Sequence, residues 1–175
     1  VPVTAEVTPH HLFLTHNTVI DYNTNSKVNP PLRTEEDRQA LIEALADGTI
    51  DVIATDHAPH SSIEKEVEYD LAAFGISGLE TAVMVLSQLI EEKALTPYRA
   101  VEALTSAPAK ILNLERGSIK IGAQADITIF DPQALQVIKP DNFFSRGKNT
   151  PLAGIELPGR ILYTIYKGKV VYQAA

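Results

Sequence analysis

At Gly117 the apolar residues change their spacing, and that change limits what the chain can fold into. Before it they recur about every 3.6 residues, as in "DRQALIEALADG" and in the segment from Gly78 to Lys93. After it they alternate with a period of two, in "SIKIG", "ADITIFD", "ALQVI" and "ILYTIYKGKVVYQ". The pattern predicts an α/β part over residues 1–116 and a small all-β part over 117–175, whose last segment is a hairpin turning at Lys167-Gly168. There are no internal repeats and no low-complexity tracts.

Within the α/β part, residues Val1 to Val7 alternate and predict a strand. A polar loop follows Pro9 and ends at "KVNPPLR", where Pro30 and Pro31 hold the backbone extended. Thr34 has the features of an N-cap with Asp37 at the capping-box position, and Gly48 is a natural helix stop. Val52-Ile53-Ala54 reads as the next strand, so the order strand, loop, helix, strand describes a βα unit feeding a second strand. The charged segment "SSIEKEVEYD" predicts a mobile surface loop. A helix is expected from Gly78 to Lys93 with Leu79, Ala82, Val83, Leu86, Leu89 and Ile90 inward. A third starts at Thr96-Pro97 and runs through Leu104, and a short fourth runs from Ser106 to near Leu114.

Composition narrows the function classes. A formal charge of -7 argues against nucleic acid or an anionic membrane as the main partner. No apolar run approaches the roughly 18–20 residues of a membrane helix. The absence of cysteine removes disulfides and thiolate ligands and suits the cytoplasm. The sole methionine is Met84, and the chain opens on Val1-Pro2-Val3, which predicts a piece of a longer polypeptide.

Chemistry is concentrated early. All five histidines, His10, His11, His16, His57 and His60, lie in the first 60 residues. In parallel α/β sheets functional side chains gather at the C-terminal ends of strands. Asp56 follows one strand directly, and Glu6 to His11 follows the other. A carboxylate in that position can bind a divalent cation, act as a general base, or do both. It could equally cap the following turn by bonding backbone amides. For His57 and His60, hydrogen bonding within a turn fixed by Pro59 is the simpler reading, with one ring available to a substrate. His10 and His11, on an extended chain, would point to opposite sides, which favours loop packing, and His16 reads as a surface residue. Asn29, pinned before two prolines, suits an oriented hydrogen-bonding side chain or a turn. Phe74-Gly75 precedes a helix start at "SGLE", where free N–H groups could meet an anion.

Taken in order, "TAEVTPHHLFLT", "KVNPPLR", "ATDHAPH" and "FGISGLETA" resemble the C-terminal portion of class I dihydroorotase, a zinc enzyme of the amidohydrolase superfamily. The resemblance extends through "SAPAKILNL" and "GSIKIGAQADITIFD". It implies the C-terminal part of a (β/α)8 TIM-type barrel followed by a small sandwich-type β domain. It implies two zinc ions per complete site, with Asp56 as a zinc ligand that also shuttles the proton. By the same resemblance Asn29, His60 and the backbone of Phe74-Gly75 contact substrate, Glu6 supports the pocket, and the "TPHH" histidines are not metal ligands. The implied reaction is reversible cyclisation of N-carbamoyl-L-aspartate to dihydroorotate, a cytoplasmic step of de novo pyrimidine biosynthesis. In the hydrolytic direction zinc-held hydroxide would attack the ring amide, and Asp56 would pass its proton to the departing nitrogen.

The other zinc ligands of the family, a His-x-His pair, a bridging acid and two more histidines, belong to earlier strands, and no His-x-His occurs here. A whole barrel takes about 250 residues. Only about 115 precede the β tail, roughly two of its eight βα units. The expectation is a chain inactive and weak in zinc binding until it meets the N-terminal portion, with a homo-oligomer or aspartate carbamoyltransferase as further partners. Two alternatives stand beside it. One is a non-catalytic dihydroorotase-like scaffold for aspartate carbamoyltransferase, and the other is a related cyclic amidase such as an allantoinase or dihydropyrimidinase.

Overall fold

The computed structural model describes residues 1–174. Two short strands, β1 (Glu6–Val7) and β2 (Val52–Ile53), pair in parallel with Glu6 opposite Val52 and Val7 opposite Ile53. Between them lie α1 (Pro9–Phe13), two 3-10 turns (His16–Val19 and Thr24–Ser26) and α2 (Glu35–Asp47). Helix α2 forms for the reasons its sequence states. The Thr34 hydroxyl accepts the Asp37 N–H at 3.2 Å, the Asp37 carboxylate accepts the Thr34 N–H at 3.3 Å, and Gly48 closes the helix in the left-handed region. Such a cap is worth about 1 kcal/mol. Only Glu6–Val7 of the expected first strand pairs, and Val1 to Thr4 are exposed. The expected loop after Pro9 instead begins with α1, so His10 and His11 occupy a helix rather than an extended chain.

After β2 come α3 (Ser62–Lys65), α4 (Ala82–Glu91), α5 (Pro97–Leu104) and α6 (Ser106–Ile111). An isolated parallel bridge joins His57 to Ile76, so the chain passes beside β2's continuation once more before it turns into α4. That passage delays the helix from Gly78 to Ala82 and leaves Leu79 57% exposed instead of inward. The charged 61–70 segment is not simply a surface loop. It contains α3, and Lys65 is buried at 3% exposure, with its ammonium donating to the carbonyls of Thr24 (2.9 Å) and Ala73 (2.7 Å). The first hydrophobic core joins β1, β2 and the helices through Val7, Leu12, Leu45, Ile53, Leu89 and Ala103. Arg99 stitches α5 to the start of β2 by donating to the carbonyls of Leu45, Ile50 and Asp51.

The tail is an antiparallel sheet in the order β3 (Ile127–Val137), β4 (Glu156–Tyr166), β5 (Lys169–Gln173). The hairpin turns at Lys167-Gly168 as the sequence predicts, both in the left-handed region at φ 51° and 76°. "ADITIFD" and "ALQVI" belong to one strand with an irregularity between Asp131 and Leu135, where the Asp131 carboxylate accepts the Gln133 N–H at 2.9 Å. Proline at 132 offers no ladder donor, which explains the break. "SIKIG" forms no strand, because its alternation has no neighbouring edge to pair with among the described residues. A second core, with Leu14, Val28, Ile76, Met84, Val85, Ile138, Leu152 and Leu157, spans both parts of the chain.

Candidate active site

Asp56 stands where β2 ends, with φ 47° and an exposed side chain. Its carboxylate makes no hydrogen bond or ion pair among the described residues, so it does not cap the turn behind it. An acid left uncommitted at a strand end is available to a ligand or a proton. His57, next in sequence, is committed: its Nδ1 accepts the Leu79 N–H at 3.2 Å and supports the turn into α4.

His60 sits at the centre of the local contacts. Its Nε2 lies 2.9 Å from the Phe74 carbonyl, which can only accept, so Nε2 carries the proton. Its Nδ1 faces Glu64 Oε1 at 3.4 Å. The Glu64 carboxylate is pulled down to about 2, first by the Ser61 N–H and hydroxyl and then by His60. The Gly75 N–H donates to the Lys27 carbonyl at 2.9 Å. His60, Phe74-Gly75 and the start of "KVNPPLR" therefore form one continuous set of contacts. The Phe74 N–H donates to nothing among the described residues. The Asn29 side chain is exposed and makes no hydrogen bond among the described residues. His11 steadies the neighbouring peptide: Nε2 donates to the Pro30 carbonyl at 2.9 Å, while Nδ1 takes the Thr8 hydroxyl proton at 2.6 Å. Glu6 is exposed on β1, and His16 is exposed with Nδ1 bonded to the Arg33 carbonyl at 3.1 Å.

Two groups without an assigned role in the sequence reading flank this set. Lys27 is buried, donates to the Asp70 carbonyl at 2.9 Å and lies 4.5 Å above the Phe74 ring. Lys65, also buried, is pushed down to about 8, by burial first and by the charge of Lys27 second. Neither lysine has a carboxylate partner among the described residues, so two ammonium groups lie behind the Phe74 turn. The other is Asn149, from the tail, whose amide touches both strand-end loops. A lysine within a charged run and an asparagine 89 residues from His60 carry no local signal of these places.

The described residues contain no group of three or more His, Asp or Glu side chains that could hold a metal ion. Taken alone they do not fit a complete metal site; Asp56 fits as one donor to a shared one.

Residues 3–171 match the Amidohydrolase family, and the chain belongs to that family. It is 50% identical over 173 residues to the dihydroorotase of Syntrophus aciditrophicus, covering 99% of this chain and 41% of that one. Against the dihydroorotase of Pelotomaculum thermopropionicum the identity is 53% over 174 residues, 99% of this chain and 41% of the relative. In structure it superposes on the L-hydantoinase of Arthrobacter aurescens with a TM-score of 0.92 and 29% identity, over 98% of this chain and 39% of the other. A D-hydantoinase from Thermus sp. gives a TM-score of 0.89 and 26% identity, with coverages of 99% and 40%. The α/β part is thus part of a TIM-type barrel, and the chain spans about two fifths of the length of the curated relatives it matches.

Proposed function

We propose that this chain is the C-terminal portion of a zinc-dependent dihydroorotase, which interconverts N-carbamoyl-L-aspartate and dihydroorotate in pyrimidine biosynthesis in the cytoplasm. The observation that carries this reading is identity of 50–53% to dihydroorotases across nearly the whole chain, against 20–29% to hydantoinases. Residues 1–116 would complete the barrel and 117–175 would form the small β domain beside it.

In the hydrolytic direction a water oxygen attacks the ring amide carbon, and the bond from that carbon to the ring nitrogen breaks. The uncommitted Asp56 carboxylate takes the water proton and returns it to the departing nitrogen. Zinc, when bound, polarises the amide carbonyl and makes the water more acidic, and Asp56 is the ligand this chain would contribute. Asn29 offers a free amide to the substrate. The free Phe74 N–H, with Lys27 and Lys65 behind it, gives the anionic substrate a positive surround. His60 orients that turn through its bond to the Phe74 carbonyl. Association with copies of itself or with aspartate carbamoyltransferase would come after assembly with the N-terminal portion.

The test mixes this chain with the N-terminal portion of the enzyme and assays dihydroorotate, hydantoin and allantoin. Turnover of dihydroorotate by the mixture, and its loss by at least about 100-fold in Asp56→Asn, is expected. Preference for hydantoin or allantoin would favour a related cyclic amidase, and no turnover of any of the three would favour the scaffold.

A further inference from the structure

We infer that Asn149, a residue of the β tail, is a positioning residue of the barrel's site, holding the His60 loop and the Phe74-Gly75 turn in register. This rests on the dihydroorotase reading for the identity of the ligand, but not for the geometry. The Asn149 side chain is buried at 5% exposure and all its hydrogen-bonding capacity is used. Oδ1 accepts the His60 N–H at 2.8 Å and lies 2.8 Å from the Ser77 hydroxyl, which shares its single proton with the Gly147 carbonyl at 2.9 Å. Nδ2 donates to the carbonyls of Ala58 at 3.0 Å and Gly75 at 3.1 Å. The Asn149 carbonyl in turn accepts the Ser77 N–H at 2.8 Å.

The amide thus bonds to the backbone at 58, 60 and 75 and to Ser77, and the two loops that carry the proposed substrate contacts are tied together through it. The fit is close on both sides. A Cβ on Gly147 would lie 2.5 Å from Pro59 Cβ, and one on Gly75 would lie 2.4 Å from Ala58 Cβ. Asn149 touches no group proposed to react, so it acts on binding through His60 and Gly75 while Asp56 retains the proton transfer. An aspartate has nearly the same shape, but it turns two donors into acceptors facing the Ala58 and Gly75 carbonyls.

The experiment uses the chain paired with the N-terminal portion and compares Asn149→Asp, Ser77→Ala and Leu157→Ala. Leu157 lies in the second core, so its truncation reports destabilisation without touching the amide. For Asn149→Asp the KM for dihydroorotate should rise about 10-fold or more while kcat stays within about threefold. Ser77→Ala, which spares three of the four side-chain bonds, should raise KM less, and Leu157→Ala should lower the melting temperature without moving KM. Amide hydrogen exchange across residues 57–78 should quicken in Asn149→Asp and not in Leu157→Ala. An unchanged KM in an active Asn149→Asp pair, or equal exchange in the two variants, overturns the inference. If Asn149→Asp does not fold, an unaltered KM and unaltered exchange in Ser77→Ala overturn it instead. A wild-type pair inert toward dihydroorotate sinks the functional reading alone, because the exchange comparison still decides whether Asn149 holds the loops.

Discussion

Asp56 adopts φ 47°, a backbone region where asparagine and aspartate are several-fold enriched among non-glycine residues. An asparagine in its place would keep both that conformation and the side-chain shape, so Asp56→Asn removes the proposed base and its charge without straining the turn. Alanine there would mix chemistry with backbone cost. His10 presents the opposite case, a titratable group the site does not use. The residue is 4% exposed, Nε2 is buried without a partner among the described residues, and the His11 ring lies 4.7 Å away. Burial first, and the charge on His11 second, push His10 from 6.5 down to about 3. Between those values the unfolded chain binds the proton that the folded chain refuses, so stability falls as pH drops below 6.5. From pH 6.5 to 5 the loss is about 1.5 kcal/mol. Urea unfolding of wild type and His10→Leu at both pH values checks this. The wild type should lose more, and equal losses would remove His10 as the cause.

At the scale of elements, some sequence signals are complete and others need a neighbour. The α2 cap, the Lys167-Gly168 hairpin and the acid at the end of β2 are legible because each is a local device, settled within a few residues. Helix α1 has an equally local signal, which the expectation of a loop overlooks: Thr8-Pro9 repeats the cap-and-proline signature that marks α5 at Thr96-Pro97. "SIKIG" has the right period and still forms no strand, because alternation specifies a face and not a partner. Asn149 and Lys65 cannot be read at all, since burial of a polar residue depends on which distant segments meet. The contact between the sheet and α4 is of this kind. Gly159 on β4 has φ 106°, and a Cβ there would lie 2.6 Å from Ser87 Oγ and 3.0 Å from Met84 Cα. Gly159→Ala should therefore destabilise by about 2 kcal/mol or more, through backbone strain and overpacking together. Thermal unfolding measures it. A change below about 0.5 kcal/mol would mean that β4 can withdraw from α4 at little cost.

At the scale of the whole molecule, the hydrogen bonding of the barrel part is unfinished. Among the described residues strands β1 and β2 pair only with each other, yet parallel sheets are ordinarily covered on both faces and extended at both edges. Val3, Ile63, Ile119, Ile121 and Phe144 are exposed apolar side chains distributed over both parts of the chain. The candidate site shows the same incompleteness, with an available carboxylate and no cluster of three or more metal donors among the described residues. On the proposed reading one remedy would answer both deficits: strands of the N-terminal portion beside β1, carrying further ligands. The purified chain should then lose zinc on gel filtration and expose apolar surface to a hydrophobic dye. Mixed with the N-terminal portion it should elute as a complex that retains zinc, binds less dye and melts at a temperature that rises with concentration. Stoichiometric zinc retained by this chain alone would show that Asp56 does not depend on ligands from elsewhere. A complex that forms yet holds no zinc would assign the association to the sheet edges and leave the metal unshared.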